Sequence, residues 1–541
     1  MTVLNLRHWF RDPLFLLALA AGLIAFMVQS GELGSADTTH RLQTAHSFWT
    51  GEPEVFPNEF PEFGVHGRGG KLQSWYSIGQ SLLLLPSDVI GAYVARLPIF
   101  ANYDDTDPSV RDIIVTYSVN ILVTVLTALV CFRFLRQFNF GITQSVVGVL
   151  ALLLATTHLH YTQNMMENNY IFLLSLTGFS YQYEWLRTGS RRALLIGSGA
   201  FGLNLLTRLP TGLDLLSGGL FLLLVLWFEG VRGRLLWERF CSYIATALPV
   251  YLFFGLLDRL YQVYRFGFKS VFVTYITIIG RETRIRNPSL PPNYPFETPW
   301  YVGFFGALFT PEKSIFLFDP LILLMIMLCF VAWKRFSPDV KAYAVMSCPL
   351  LLAYMSFYAR YTVWSGDFAW GDRYITTPVQ LLAMISIPLL LRYREHLQRF
   401  AWRLGIGIAA VSVVIQVASV VFWHPLEIHQ METLGHPTFV VGLRFENMAA
   451  AVLDKVDQWG LSNEDTREID GIRAQTPYFL PFLLKKDDSI SKTAANGLIA
   501  GWFVGLTALI GVLLVIGRKA RGEEFATVAP VAEESVEEFA A

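Results

Sequence analysis

The chain has 541 residues, of which 53% are hydrophobic, 14% aromatic and 16% charged, and its mean hydropathy is +0.43. Such a profile is typical of a protein that crosses a membrane many times. The formal net charge of -1, from 42 basic and 43 acidic residues, excludes a global field that would attract nucleic acid or an acidic partner.

The N-terminal segment places Arg7 and Arg11 before an apolar run from about 13 to 28. We interpret this segment as an uncleaved membrane anchor, and a cleaved signal peptide with a weak site before Asp37 is the alternative. Both interpretations put Asp37 on the non-cytoplasmic side.

Apolar runs long enough to cross about 30 Å of hydrocarbon recur along the chain. They lie near 13–30, 112–132, 144–162, 168–186, 193–209, 211–228, 239–257, 315–333, 342–362, 374–391, 403–423 and 497–517. A thirteenth run, 74–97, contains Pro86 and Asp88, and a charge at the bilayer centre is costly. If that run lies on the membrane surface, the basic loops all fall on one side, as the positive-inside rule requires.

The sequence therefore predicts an all-α polytopic membrane protein with about twelve transmembrane helices, both ends cytoplasmic, and interfacial helices in the first external loop. This topology divides the chain into four parts. They are a transmembrane core at 1–423 with the first external loop at 31–111, a second external loop with surface helices at 424–496, a last transmembrane helix at 497–517, and a disordered cytoplasmic tail at 518–541.

Ionisable residues gather where the predicted spans meet the non-cytoplasmic loops. Asp37 and Arg41 share one helix face if the segment is helical, because residues i and i+4 are neighbours. A helix cap with a surface ion pair is one interpretation, and a carboxylate base beside an anion-binding cation is the other. His66 and Lys71 flank glycines that let backbone N–H groups approach an anion, although a flexible turn explains those glycines equally well.

Further candidates follow along the chain. Glu167 lies in a tight reversal between two spans, where a turn alone also needs polar residues. Arg208, at a span boundary broken by Pro210, favours an anionic partner, and Lys313 opens a later span in the same way. The last candidates lie in the segment 364–374, whose tryptophans either belong to an aromatic belt at the membrane interface or stack on sugar rings. The segment contains Trp370, Asp372 and Arg373.

At these residues the chain resembles the GT-C superfamily of membrane glycosyltransferases, and within it the bacterial branch around the aminoarabinose transferase of lipid A and the protein O-mannosyltransferases. Those enzymes use polyprenyl-phosphate-linked sugars. They carry a catalytic acid in the first external loop, surface-lying helices after it and a second acid after the third span. The resemblance covers most of the chain as architecture but only short patches as motif, such as WGDRY for the bacterial WGPRY.

The chain departs from the family at two points. Thr38 stands where many relatives have Glu after the catalytic Asp, and the basic residue in the same helix is shifted by about one place. The Trp-Trp-Asp motif of oligosaccharyltransferases is absent from the sequence, which argues against peptide N-glycosylation.

The resemblance and the residue patterns together predict a role for each candidate. The predicted catalytic acids are Asp37 and Glu167. The predicted phosphate-binding residues are Arg41, Lys71, Arg208 and Arg373, and the predicted substrate-binding residues are His66, Lys313, Trp370 and Asp372.

The sequence predicts neither a metal site nor a certain cofactor. The four cysteines lie in or beside apolar segments and are interpreted as small apolar residues. A divalent cation stays open as an alternative because some distant relatives use one, with Asp37, Glu167 and His66 as conceivable ligands.

The resemblance implies an inverting glycosyltransferase that moves a sugar from a polyprenyl-phosphate donor to a hydroxyl of a glycan, lipid or protein acceptor. Asp37 would take the acceptor proton, and arginines would stabilise the leaving phosphate. The alternatives are a transporter or flippase of lipid-linked sugars, which would place ionisable residues near the bilayer midplane, and a non-catalytic glycan-assembly scaffold. The expected location is a bacterial inner membrane with the site facing the periplasm, in contact with membrane lipids and not with nucleic acid.

Overall fold

The computed structural model describes residues 12–58, 63–103, 108–267, 283, 288–367, 369–453, 476–486 and 490–522. Within these ranges the regular secondary structure is helical except for one two-stranded hairpin. Four predicted features lie wholly or partly outside the described residues. They are the basic N-terminal flank at 1–11, positions 59–62 and 104–107 of the first external loop, positions 454–475 and 487–489 of the second, and positions 523–541 of the tail. The first five residues of the predicted disordered tail, 518–522, are instead helical.

The first part of the chain contains the predicted anchor, the first external loop and the helix that follows it. Its elements are α1 Pro13–Val28, α2 Ala36–Thr50, β1 Gly64–His66, β2 Leu72–Ser74, α3 Gly79–Ala95 and α4 Val110–Gln137. The side chain of Ser35 accepts a hydrogen bond from the N–H of Thr38 and so caps α2. Asp37 lies in the first turn, where the helix dipole favours a negative charge.

The middle of the chain is a series of helices joined by short turns. They are α5 Ile142–Leu154, α6 His158–Gln163, α7 Asn168–Thr188, α8 Arg191–Thr207, α9 Gly212–Phe228 and α10 Gly233–Phe266. The predicted run 144–162 is therefore divided between α5 and α6, and the reversal after α6 brings Glu167 to the N-cap position of α7.

The last part of the chain contains α11 Trp300–Phe309, α12 Ile315–Phe318, α13 Leu321–Ala332, α14 Pro338–Tyr358, α15 Thr376–Met384, α16 Ser386–Arg392, α17 Arg399–Ser419, α18 Pro425–Glu432, α19 Val440–Val452, α20 Leu480–Leu484 and α21 Lys492–Gly522. The predicted run 315–333 is divided because Pro320 disfavours helical backbone at Asp319, which ends α12. The short apolar α11 was absent from the predicted runs.

Seven helices in the described ranges are long and apolar enough to cross a membrane, so the chain is a helical membrane protein. They lie at Val110–Gln137, Leu209–Phe228, Gly233–Phe266, Pro338–Tyr358, Arg373–Arg392, Arg399–Ser419 and Lys492–Gly522. Each of these seven coincides with a predicted span. The other five predicted spans fall on helices that are shorter or less apolar, so the count of twelve stays a prediction.

The buried apolar residues form one large cluster and two smaller ones, and the large cluster contains a group of aromatic rings. Ring centroids in this aromatic group lie 4.7–6.4 Å apart, within the range of favourable edge and tilted contacts. The group consists of Phe134, Phe138, Tyr183, Phe221 and Tyr343. It fixes the C-terminal end of α4, whereas the charged residues of interest gather near the other end of that helix.

The helix α3 within the ambiguous run 74–97 packs against α2 and α4. Its buried Asp88 accepts hydrogen bonds from Trp49 Nε1 at 2.8 Å and Arg111 Nε at 2.6 Å, and it lies 3.0 Å from His46 Nδ1. The charge of Asp88 is thus compensated inside the protein, and it ties three helices of the first external region together. The surface position of this helix relative to a membrane stays a prediction.

Candidate active site

Two carboxylates and three arginines from distant parts of the chain meet at one place. Asp37 and Arg41 come from α2, Glu167 from the start of α7, Arg208 from the turn between α8 and α9, and Arg373 from the turn before α15. We call this group the charged cluster. All five of its members are residues that the sequence singled out.

Asp37 uses both of its carboxylate oxygens. The phenol of Tyr76 donates to Oδ1 at 2.5 Å, and Nη1 of Arg373 donates to Oδ2 at 2.9 Å. Burial alone would raise the pKa of Asp37, but the charges of Arg373 and Arg41 hold that pKa well below its usual range. Asp37 is therefore ionised at neutral pH while 19% of its side chain stays exposed.

Glu167 is fully buried and holds two guanidinium groups. Its Oε2 accepts a hydrogen bond from Arg41 Nη1 at 2.7 Å, and its Oε1 accepts one from Arg208 Nη2. Arg41 is only 5% exposed, so the interpretation of a surface ion pair on α2 is wrong. Three positive charges against two negative ones leave the charged cluster with a net charge of +1, which favours an anionic ligand.

Two tyrosines that the sequence analysis missed organise the charged cluster. The guanidinium of Arg41 lies over the ring of Tyr76, 4.3 Å from its centroid. The guanidinium groups of Arg208 and Arg373 lie 5.1 and 5.2 Å from the ring centroid of Tyr374. These distances are in the range of cation–π attraction, so each ring helps to orient an arginine.

The loop that carries Arg373 is held by Lys313. Nζ of Lys313 donates to the backbone carbonyl oxygens of Asp367 at 2.6 Å and Ala369 at 2.8 Å, and its side chain is 2% exposed. Asp372 accepts a hydrogen bond from the N–H of Tyr374 at 3.0 Å, and burial raises the pKa of Asp372 to about 7. Both residues were predicted to bind substrate, and in the structure their polar atoms bind the loop itself.

Gly366 has a backbone φ of 80° and lies against Arg373. An added Cβ would stand 2.5 Å from Cγ of Arg373, so Gly366→Ala must displace that arginine in addition to straining the backbone. Gly189→Ala is the matched control, because φ there is 71° and no atom lies within 4 Å. We expect Gly366→Ala to lose about 1–3 kcal/mol more stability than the control. Equal thermal unfolding midpoints in detergent, followed by tryptophan fluorescence, would contradict this expectation.

The charged cluster opens onto a cavity of about 780 Å³. Asp37 and Arg373 line it, together with Phe63, Met166 and Trp423. Arg41, Glu167 and Arg208 are not among its described lining residues. A ligand that enters this cavity meets a carboxylate and an arginine side by side, and this volume is typical of a site for a small molecule.

Three other predicted residues lie elsewhere. His66 and Lys71 line a separate cavity of about 910 Å³, so the structure does not bring Lys71 to the charged cluster. Trp370 is fully buried between His160, with ring centroids 5.8 Å apart, and Phe318, with centroids 5.1 Å apart. Its indole offers no open face to a sugar ring, and the prediction that it stacks on substrate is wrong for that reason.

The alternative of a divalent cation needs several ligands at one point. In the part of the chain that the structure describes, no three His, Cys, Asp or Glu side chains form a group that could hold a metal ion. Asp37 and Glu167 each bind arginines instead, and His66 belongs to the other cavity.

No protein-family model and no curated protein matches the chain. Among solved structures, the chain is similar to the oligosaccharyltransferase of Archaeoglobus fulgidus in its apo form, with 12% identity and a TM-score of 0.41 over 80% of this chain and 59% of that one. It has the same identity and TM-score with AglB from Archaeoglobus fulgidus in complex with an inhibitory peptide and a dolichol-phosphate, over 77% of this chain and 56% of that one. The chain thus spans less than two thirds of the length of either structure.

Proposed function

We propose that this chain is a membrane glycosyltransferase that moves a sugar from a polyprenyl-phosphate donor to an acceptor hydroxyl. One observation carries the proposal: a carboxylate, Asp37, lies beside a cluster of net positive charge at the wall of an open cavity. A transfer of this kind needs a base for the acceptor proton and cations for the leaving phosphate, and both are present within one hydrogen bond of each other.

The proposed reaction is a single displacement. The acceptor O–H gives its proton to Asp37, and the acceptor oxygen forms a bond to the anomeric carbon. The bond between that carbon and the phosphate oxygen breaks at the same time, and polyprenyl phosphate leaves with the bonding electrons. Displacement from the face opposite the leaving group inverts the anomeric centre, and no covalent enzyme intermediate forms.

Arg373 can bind either the proposed base or the donor phosphate. In the structure it holds Asp37, which lowers the pKa of that carboxyl and makes it a weak base. A donor phosphate that enters the cavity competes with Asp37 for the same guanidinium. When Arg373 turns to the phosphate, Asp37 loses a stabilising partner and becomes more basic. The base would thus be activated once the donor is bound.

Arg208 and Arg41 would contribute positive charge near the donor phosphate. They share Glu167, which limits the repulsion between their two positive charges. Glu167 is therefore proposed as a residue that positions the two arginines. It was predicted as a second catalytic acid, but its two oxygens already accept from both guanidinium groups.

The finer parts of the proposal rest on the sequence. The distribution of basic loops supports an active site on the non-cytoplasmic face, and the resemblance supports the bacterial aminoarabinose and O-mannosyl transferase branch in an inner membrane. A transporter remains the rival function, although the charged cluster lies at the ends of helices and not within a broken helix.

Binding of polyprenyl phosphate tests the proposal most directly. We expect the purified full chain in nanodiscs to bind undecaprenyl phosphate, and Arg373→Gln to raise the Kd about 10- to 100-fold, because a charged hydrogen bond to the phosphate is lost. Arg234→Gln is the control, since that arginine is 92% exposed in an i,i+4 pair on α10. If wild type and Arg373→Gln bind the lipid phosphate equally, the proposed donor site is wrong.

A further inference from the structure

The second cavity, of about 910 Å³, adjoins the same structural elements as the charged cluster. Phe63, which directly precedes β1, lines the first cavity, and Gln73 in β2 lines the second. Helix α2 contributes Asp37 to the first and Ser47 to the second. Ten residues of helix separate Asp37 from Ser47, a rise of about 15 Å. The two cavities are therefore neighbours along α2.

The second cavity has a balanced charge. Its carboxylates are Glu52 and Glu54. Glu54 accepts a hydrogen bond from the N–H of Ser74 at 3.0 Å and lies 3.2 Å from Nη2 of Arg265. Lys71 also lines the cavity, so its charge and that of Arg265 offset the two negative ones. An anion such as the donor phosphate gains no net attraction here, in contrast to the charged cluster.

The cavity also presents aromatic rings to its interior. Phe48, Tyr261 and Tyr264 line it, and Tyr264 is 71% exposed. Aromatic rings offer flat apolar faces, and the phenols and carboxylates add hydrogen-bonding groups at their edges. A purely apolar chain would leave those polar groups without partners, which is costly. The lining instead suits a ligand that is uncharged, carries many hydroxyls and has apolar ring faces.

We propose that this second cavity binds a neutral oligosaccharide, the part of a glycan acceptor that extends away from the reacting hydroxyl. The inference rests on the proposed transferase function and narrows its acceptor from a glycan, lipid or protein to a glycan. Tyr264 and Phe48 stack on sugar rings, and Glu52 and Gln73 bind their hydroxyls. An acceptor of several sugar units, seated here, directs its terminal hydroxyl along α2 toward Asp37.

A direct chain of contacts connects this cavity with the base. Arg265 is fully buried, lies 3.2 Å from Glu54, and donates from Nη1 to the backbone carbonyl oxygen of Tyr76 at 3.0 Å. Tyr76 in turn donates its phenol proton to Asp37. A glycan bound against Glu54 is therefore connected to the carboxylate that takes the acceptor proton through three residues, Glu54, Arg265 and Tyr76.

The inference is tested by saturation-transfer NMR on the full chain in nanodiscs. The probes are neutral linear tetrasaccharides of mannose, glucose and galactose. We expect at least one of them to receive saturation, and both Tyr264→Ala and Glu52→Gln to weaken its binding at least about tenfold. The matched controls are Tyr93→Ala and Glu446→Gln, because both residues are exposed and line neither described cavity. Neither control should change the binding of the probes.

The possible outcomes separate this inference from the proposed function. Binding of undecaprenyl phosphate is measured on the same samples. If wild type does not bind this lipid phosphate, the result counts against the donor site alone. If wild type binds the lipid phosphate but no tetrasaccharide, or binds one that Tyr264→Ala and Glu52→Gln do not weaken, the second cavity is not a glycan site. Saturation of an uncharged model peptide with the same dependence on Tyr264 and Glu52 would also overturn it.

Discussion

Asp37→Asn is expected to reduce sugar transfer about 10²- to 10⁴-fold while the chain stays folded. Asparagine keeps the size of the side chain and leaves the Ser35 cap of α2 unchanged, but its single amide oxygen can replace only one of the two carboxylate oxygens that accept from Tyr76 and Arg373. It cannot take up the acceptor proton. The measurement is the release of undecaprenyl phosphate from a panel of its hexose and pentose conjugates, so the assay does not depend on which sugar is the natural one.

The same variant is expected to bind undecaprenyl phosphate more tightly than wild type. Loss of the carboxylate charge releases Arg373 and raises the net charge of the cluster from +1 to +2, so the lipid phosphate meets less competition. Asp367→Asn serves as the control, because Asp367 lines the same cavity and its left-handed backbone tolerates asparagine. Transfer at the wild-type rate by Asp37→Asn would exclude this residue as the base.

Glu167→Gln is expected to destabilise the protein by about 3–5 kcal/mol, because Arg41 and Arg208 lose the buried carboxylate that both of them bind. The control lies on the same helix. Glu184 also pairs with an arginine, Arg133, but its side chain is 21% exposed, and Glu184→Gln should cost only about 0–1 kcal/mol. The measurement is the thermal unfolding midpoint of each variant in detergent.

A second readout separates a role in the site from a purely structural one. Undecaprenyl phosphate should raise the unfolding midpoint of Glu167→Gln more than that of wild type, because the phosphate can compensate the excess positive charge that the variant leaves in the cluster. If Glu167→Gln unfolds at the same temperature as Glu184→Gln, the double ion pair does not stabilise the fold. If the lipid phosphate stabilises both proteins equally, the two arginines do not face the donor.

The sequence predicted the members of the charged cluster but not how they pair. The spacing of Asp37 and Arg41 suggested an ion pair within α2, whereas Arg41 binds Glu167, 126 positions away, and Asp37 binds Arg373, 336 positions away. Spacing along a helix identifies residues that share a face. The choice of partner depends on which helices pack together, and helical periodicity does not encode that.

Other parts of the site could not be inferred from residue types. Tyr76 lies in an apolar run that is typical of a membrane-surface helix, and its hydrogen bond to Asp37 exists only because the hairpin folds back over α2. Lys313 and Trp370 have the chemistry of ligand-binding residues, yet burial directs one to backbone carbonyls and the other to neighbouring rings. Charge and aromaticity indicate what a side chain can bind, and packing decides what it does bind.

The charge balance of the cluster bears on how the protein is made. Asp37, Arg41, Glu167 and Arg208 carry two negative and two positive charges. The four cluster residues that leave the ribosome first therefore have no net charge. Arg373 is synthesised last and contributes the uncompensated positive charge. A partly synthesised chain is therefore expected to attract lipid phosphate less strongly than the complete chain, because the excess positive charge is added only with the late helices.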